Sequence, residues 1–124
     1  MDVFISNLWR WKSGMTEVDA TAKKVYPTLE QVRKENWSHK FEMYMRNRLT
    51  FGYFRYGPLS KQKKGEYDNI GSIEKRLEIY KETGNDEILV DVANLAMVEF
   101  MNGAHPKKHF KSEDDGIHTQ KRSR

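Results

Sequence analysis

Glu87, Asp91 and Asn94 stand four and three residues apart in the segment from Asp86 to Phe100, DEILVDVANLAMVEF. That spacing stacks them on one face of a helix. Glu74 and Glu78, in the segment before it, are also four apart. If the two faces meet, four carboxylates converge. A hard cation such as magnesium takes oxygen ligands of this kind and tethers phosphates. The alternative is that Glu74 and Glu78 are solvated, Glu87 complements a helix N-terminus, and Asp91 pairs with an arginine. Apart from Asp91 and Asn94 the segment is apolar almost all the way round, which predicts a helix buried on every side. An ionised carboxylate in that place needs a partner. We therefore expect a largely buried Asp91 in contact with an arginine or a metal.

A second set of residues lies between Phe41 and Tyr56, in FEMYMRNRLTFGYFRY. Tyr44, Arg48, Phe51 and Arg55 follow one another at four, three and four residues and so share a helix face, with Arg46 nearby. Aromatic rings stack on bases while guanidinium groups grip phosphates. In this reading Arg48 and Arg55 hold phosphates, Tyr44 or Tyr53 stacks, Asp91 orients an arginine, and Asn94 reads a base edge or a ribose. The structural alternative is that the aromatics are core and the arginines pair with the acidic residues of the apolar helix. His105 and His109 are four apart, but Pro106 disfavours helical geometry at His105. A zinc site would also need further ligands, with His118 and Asp114 in the tail. A turn that folds Phe110 back onto the core is expected instead. There is no Gly-rich phosphate loop, and no serine or histidine nucleophile-and-base signature.

The elements that must position these residues are helical. Pro27 is followed by Thr28-Leu29-Glu30-Gln31, a capping box that starts a helix at Leu29. Phe41, Met45 and Leu49 recur every four residues, with Tyr44 beside them, predicting a helix from about Ser38 to Tyr53 that ends before Gly57-Pro58. Residues 60–67, SKQKKGEY, read as a solvated loop. Asp68 or Asn69 is a fitting N-cap for a helix carrying Ile70, Ile73, Leu77 and Tyr80, with Gly84 suited to the left-handed position that closes it. Asp86 is then expected to cap the apolar helix, which runs to about Met101. So short a connection implies an antiparallel hairpin of helices. Near the N-terminus, Ile5, Leu8 and Trp9 have helical spacing, and residues 15–26 suggest a second short helix or an arm. The expectation is an all-α fold: one helical domain over 1–110, built on the hairpin of about 69–83 and 86–101, with a flexible basic tail over 111–124.

Composition narrows the function. At 124 residues the chain is long enough for one domain with a modest core. Cysteine is absent, so disulfides and thiolate metal sites are excluded, which fits a reducing cytosol. No apolar run approaches the roughly 18 residues that span a bilayer. The opening MDVFISNLWRWK, acidic at Asp2 and broken by Ser6 and Asn7, is unlike a signal peptide. The expected location is the cytoplasm, with no membrane partner. Of the net charge of +4, residues from Lys107 onward supply +3, with six basic against three acidic residues, leaving +1 for residues 1–106. That is not the basic face of a duplex-DNA binder.

Two resemblances add to this reading. The paired acidic helices resemble those of the all-α nucleotide pyrophosphohydrolases of the MazG type, which set an ExxE helix against an ExxD helix around magnesium. Here the spacings are ExxxE (Glu74, Glu78) and ExxxD (Glu87, Asp91), a departure of about 100° round each helix. The stretch ETGNDEILVDVANLAMVEFMNGAHPKKHF resembles a family of small proteins from phage and prophage genomes, through TGN, LVDVAN, the EF run, and HP followed by HF. Such an origin implies a protein that disables a host defence. The first expectation is a non-enzymatic, homo-oligomeric binding protein that sequesters a small phosphorylated nucleotide through Tyr44, Arg48, Tyr53, Arg55, Asp91 and Asn94, with no cofactor. The second is a magnesium-dependent pyrophosphohydrolase using Glu74, Glu78, Glu87 and Asp91. The third is a protein that binds and inhibits a host defence enzyme.

Overall fold

Thr28, Ser38, Asp68 and Asn85 each place a side-chain oxygen where it accepts a free backbone N–H, from Gln31, Phe41, Gly71 and Glu87 respectively. Unsatisfied donors at a helix start are the reason such residues mark it. In a computed structural model that describes residues 25–113 and 116–122, these four caps open four helices. They are α1 (Leu29–Glu35), α2 (His39–Tyr56), α3 (Asn69–Thr83) and α4 (Asp86–Asn102), with a 3-10 turn at Leu59–Lys61 between α2 and α3. No strand occurs among the described residues, and the fold is all-α.

The capping box at Thr28 is complete, with the Gln31 side chain accepting the Thr28 N–H at 2.7 Å. The chain breaks at Asn36 and restarts at Ser38. α2 runs to Tyr56 rather than Tyr53, until Gly57, at φ +80°, leaves helical geometry ahead of Pro58. Asp86, expected as the cap of the next apolar helix, is instead its first residue, because the Asn85 side-chain Oδ1 accepts the Glu87 N–H at 3.1 Å.

The chain divides into two compact units, Trp37–Lys108 and a second made of Met1–Asn36 with His109–Arg124. Within the second unit, α1 is the helix described, and residues 116–122 form none. The helix expected around Ile5, Leu8 and Trp9 lies outside the described residues, as does most of the arm expected at 15–26. Phe110 is 80% exposed rather than folded onto a core.

The first unit contains α2, α3 and α4. Gly84, at φ +66°, ends α3 in the left-handed conformation that glycine adopts without penalty. With one further residue before α4, the two helices turn back on each other as an antiparallel hairpin. α4 packs along α3 and, over a shorter stretch, against α2. It is thus the shared helix, but two neighbours cover only part of its circumference. The expectation of burial on every side is corrected accordingly: Val90 and Asn94 are buried, whereas Ala96, Phe100 and Met101 are exposed. Val90, at 4% exposure, is the one buried hydrophobic side chain among the described residues.

Polar ties complete the unit. Asn69, buried at the start of α3, donates to the Glu99 carboxylate on α4 at 3.1 Å. The Asn102 amide donates to the carbonyls of Gln62 and Lys63, while the Gly65 N–H returns a bond to the Asn102 carbonyl. The loop over residues 57–68 is held against the end of α4 in this way. Gly65 is required there, since a Cβ would lie 2.6 Å from that of Ala104 and φ is +68°. Lys108 donates to the carbonyls of Glu99 and Phe100, placing a cation at the negative end of α4.

Candidate functional site

Arg48, near the middle of α2, reaches across to α4. Its Nε donates to Asp91 Oδ1 at 3.0 Å and its Nη2 to Asp91 Oδ2 at 3.3 Å. Its Nη1 lies 3.2 Å from Glu87 Oε1. The Asp91 hydrogen bond raises the Arg48 pKa above its ordinary value, against the opposing effect of burial, and the charges of Asp91 and Glu87 raise it further. The guanidinium is therefore a fixed cation with all three nitrogens engaged. Asp91 is 22% exposed, less buried than its place in the sequence suggests.

One turn further along α4, Asn94 is 7% exposed. Its Nδ2 donates to the Met45 carbonyl of α2 at 3.0 Å. Its Oδ1 is buried with no hydrogen-bond partner.

Asp91 and Asn94 lie on the wall of an open cleft of about 720 Å³, formed by the second half of α2, the loop after it, the first half of α3 and the middle of α4. That volume falls within the roughly 300–1,000 Å³ of small-molecule sites. Arg48, Phe51 and Arg55, three of the four residues expected to share a face of α2, line it, and so do Tyr53, Asp91 and Asn94. Tyr44 does not. It lies eleven residues before Arg55, about 16 Å along the helix axis, and the cleft takes in only the later turns of α2. Its ring is instead near Lys40, whose Nζ is 5.9 Å from the ring centroid.

Sequence reasoning missed Arg76, Tyr56 and Tyr67, and it read Asn69 only as a cap. All four line the cleft. Asn69, Ser72 and Arg76 share a face of α3 by their three- and four-residue spacing, a signal that was available. Tyr67 carried no such signal, because it lies in the loop and reaches Tyr56 edge-to-face at 5.9 Å. Arg55 lies over the Tyr56 ring at 5.9 Å, and Arg76 donates to the Ser72 carbonyl one turn back. Among the described residues neither Arg55 nor Arg76 has a carboxylate partner, in contrast to Arg48.

The carboxylates expected to converge do not. No three acidic or histidine side chains among the described residues gather in a way that could hold a metal ion. Glu78 pairs with Lys81 at 3.2 Å, Glu74 is exposed, and Glu87 and Asp91 both turn to Arg48. With the acids four residues apart rather than three, each pair is rotated, and Glu87 and Asp91 are engaged by Arg48. His105 Nδ1 accepts the Lys107 N–H in a tight turn. No helix among the described residues is long and apolar enough to cross a membrane. No protein family, curated protein or solved structure matches this chain.

Proposed function

We propose that the protein is a non-enzymatic binding protein that sequesters a small phosphorylated nucleotide in this cleft. The observation that carries the reading is the pairing of Arg55 and Arg76, cations without carboxylate partners, with the rings of Phe51, Tyr53, Tyr56 and Tyr67 around one cavity of nucleotide size. Guanidinium groups neutralise phosphate through charge-assisted hydrogen bonds, and the rings offer faces or edges to a base. Arg48 serves as a strut, its charge already balanced by Asp91 and Glu87, and so acts through the shape of the cleft. The wider setting we infer is a phage-type protein acting on a host-defence signal in the host cytoplasm.

The same protein is proposed to act as a homo-oligomer. The exposed Met101 of α4, at 55%, supports this, since a helix apolar on most sides is stabilised by further cover. One observation favours a second reading, a protein that grips a host defence enzyme: Trp37, Phe51 and Phe54 on or beside α2 are 58%, 68% and 82% exposed.

The deciding experiment is incubation with a panel of nucleotides and magnesium, removal of unbound material, heat denaturation, and mass analysis of what is released. Intact nucleotide in the released fraction supports sequestration. An altered nucleotide indicates an enzyme, and no retained nucleotide at millimolar concentration leaves the protein-binding reading.

A further inference from the structure

Half of the 18 residues of α2 are large and apolar or aromatic, yet none of them is buried. The helix is tied to α4 through the Met45 carbonyl and Arg48. At about 100° per residue, Met43, Asn47, Thr50 and Phe54 lie on the side opposite Met45, and all four are exposed. Their spacing of four, three and four residues is that of the seam of a two-stranded coiled coil. Tyr44 and Phe51 flank this seam on one side, Arg46 and Tyr53 on the other. The rings of Tyr44, Phe51, Tyr53 and Phe54 are between 43% and 82% exposed, roughly 500 Å² per copy at about 200 Å² a ring. Twice that, with Met43 added, clears the roughly 1,000 Å² that a specific interface requires.

We propose that this face joins two copies of the chain, with their α2 helices antiparallel and the two-fold axis level with the Arg48–Leu49 peptide. The inference rests on the homo-oligomer reading above and names its surface. The second copy is the occupant because the face is self-complementary in that register. Met43 meets the partner's Phe54, a thioether against a ring. Asn47 meets the partner's Thr50, whose hydroxyl donates to its own Arg46 carbonyl and so presents its lone pairs to the amide. Tyr44 flanks the partner's Phe51 as an aromatic pair, and Arg46 flanks the partner's Tyr53 as a cation–π pair. Polar residues at the centre of such a seam fix its register. Phe51 and Tyr53 also line the cleft, so the partner's Tyr44 and Arg46 stand at its rim.

Sedimentation of the full chain and cysteine cross-linking test this. The wild type should sediment at twice the chain mass of 14.7 kDa, or at an even multiple of it. Phe54→Glu, a change on the outer side of α2, should halve that mass while circular dichroism stays helical. The chain has no cysteine of its own, so introduced thiols report without background. Chains carrying Asn47→Cys, mixed with chains carrying Thr50→Cys and oxidised, should give a disulfide-linked dimer, because the antiparallel register sets these two positions level. Either variant alone should give much less. Should Phe54→Glu fail to fold, the cross-links decide. A wild type that is monomeric at millimolar concentration overturns this inference and the homo-oligomer reading together. An oligomer that survives Phe54→Glu, or that yields no mixed cross-link, overturns this surface and leaves the homo-oligomer reading standing. Asn47→Cys linking to itself as readily as to Thr50→Cys overturns the antiparallel register.

Discussion

Arg48 and Asp91, 43 residues apart, meet through two parallel N–H···O bonds of 3.0 and 3.3 Å that pin α2 to α4. The planar fork of arginine matches a carboxylate in this way, whereas a lysine would offer only a point charge. Because Arg48 is 44% and Asp91 22% exposed, the pair lies between a solvated surface bridge, worth about 0–1 kcal/mol, and a buried one whose rupture costs about 3–5 kcal/mol.

Asp91→Ala should therefore destabilise the protein by about 1–3 kcal/mol in urea denaturation. Arg48→Ala should cost a similar amount, and the double variant less than the sum of the two. Additive losses in that cycle would show that the two side chains do not support each other.

Asn94 makes one bond and leaves one acceptor unsatisfied, so its replacement has opposing effects. Asn94→Leu should change stability by less than about 1 kcal/mol, since removing a buried polar group together with its need for partners is close to neutral. Asn94→Asp, which substitutes an acceptor for the donor facing the Met45 carbonyl, should cost about 2 kcal/mol or more. Equal melting temperatures for the two variants would count against the geometry described.

The arginines should separate by role. Arg55→Ala and Arg76→Ala are expected to weaken nucleotide binding by about 1.5–3 kcal/mol each, the worth of a charge-assisted hydrogen bond, while the melting temperature holds. Arg48→Ala should lower the melting temperature. Calorimetric titration beside thermal denaturation reads both quantities on each variant.

Gly52 stands inside α2 on the wall of the cleft, and a Cβ built there meets nothing within 4 Å. Gly52→Ala should stabilise the helix by about 0.5–1 kcal/mol. Gly52→Leu should keep the fold and obstruct the ligand. Unimpaired binding by a folded Gly52→Leu variant would show that the ligand lies elsewhere.

Glu42 accepts hydrogen bonds from the Trp37 indole and the Arg46 guanidinium, which hold its carboxyl below the usual glutamate range. A depressed folded-state pKa gives stability that is present above the ordinary value of about 4.3 and lost as pH falls through the folded value. The wild-type melting temperature should exceed that of Glu42→Gln at neutral pH, and the gap should close in acid. A gap that persists or widens in acid would contradict the sign of the shift. The pair is solvent-exposed, so the effect should be small and weakened by salt.

The local elements were legible because their signals act within one or two turns. Thr28 with Gln31, Ser38, Asp68 and Gly84 mark helix ends through bonds to backbone a few residues away, and four-residue recurrences marked the faces of α2 and α3. Of the α2 and α4 residues that line the cleft, Arg48, Phe51 and Arg55 were marked by spacing, and Asp91 and Asn94 by the oddity of polar residues in an apolar helix. Arg76 was passed over because a charged residue outside an apolar stripe looks the same whether it faces solvent or a cavity.

What the sequence by itself determined, then, is the all-α class, the helix limits to within a few residues, and part of the set of residues that line the cleft. Tertiary structure decided how those residues are matched. It gave Asp91 and Glu87 to Arg48 and kept them apart from Glu74 and Glu78. It left Arg55 and Arg76 without carboxylate partners, placed Tyr44 beyond the cleft, and left part of α4 uncovered. The physical reason is that helical periodicity fixes which residues share a face, whereas the rotation and offset of one helix against another decide what that face meets. A rotation of about 100° separates a carboxylate cluster from an ion pair, and it is set by the packing of the whole unit rather than by any local run of residues.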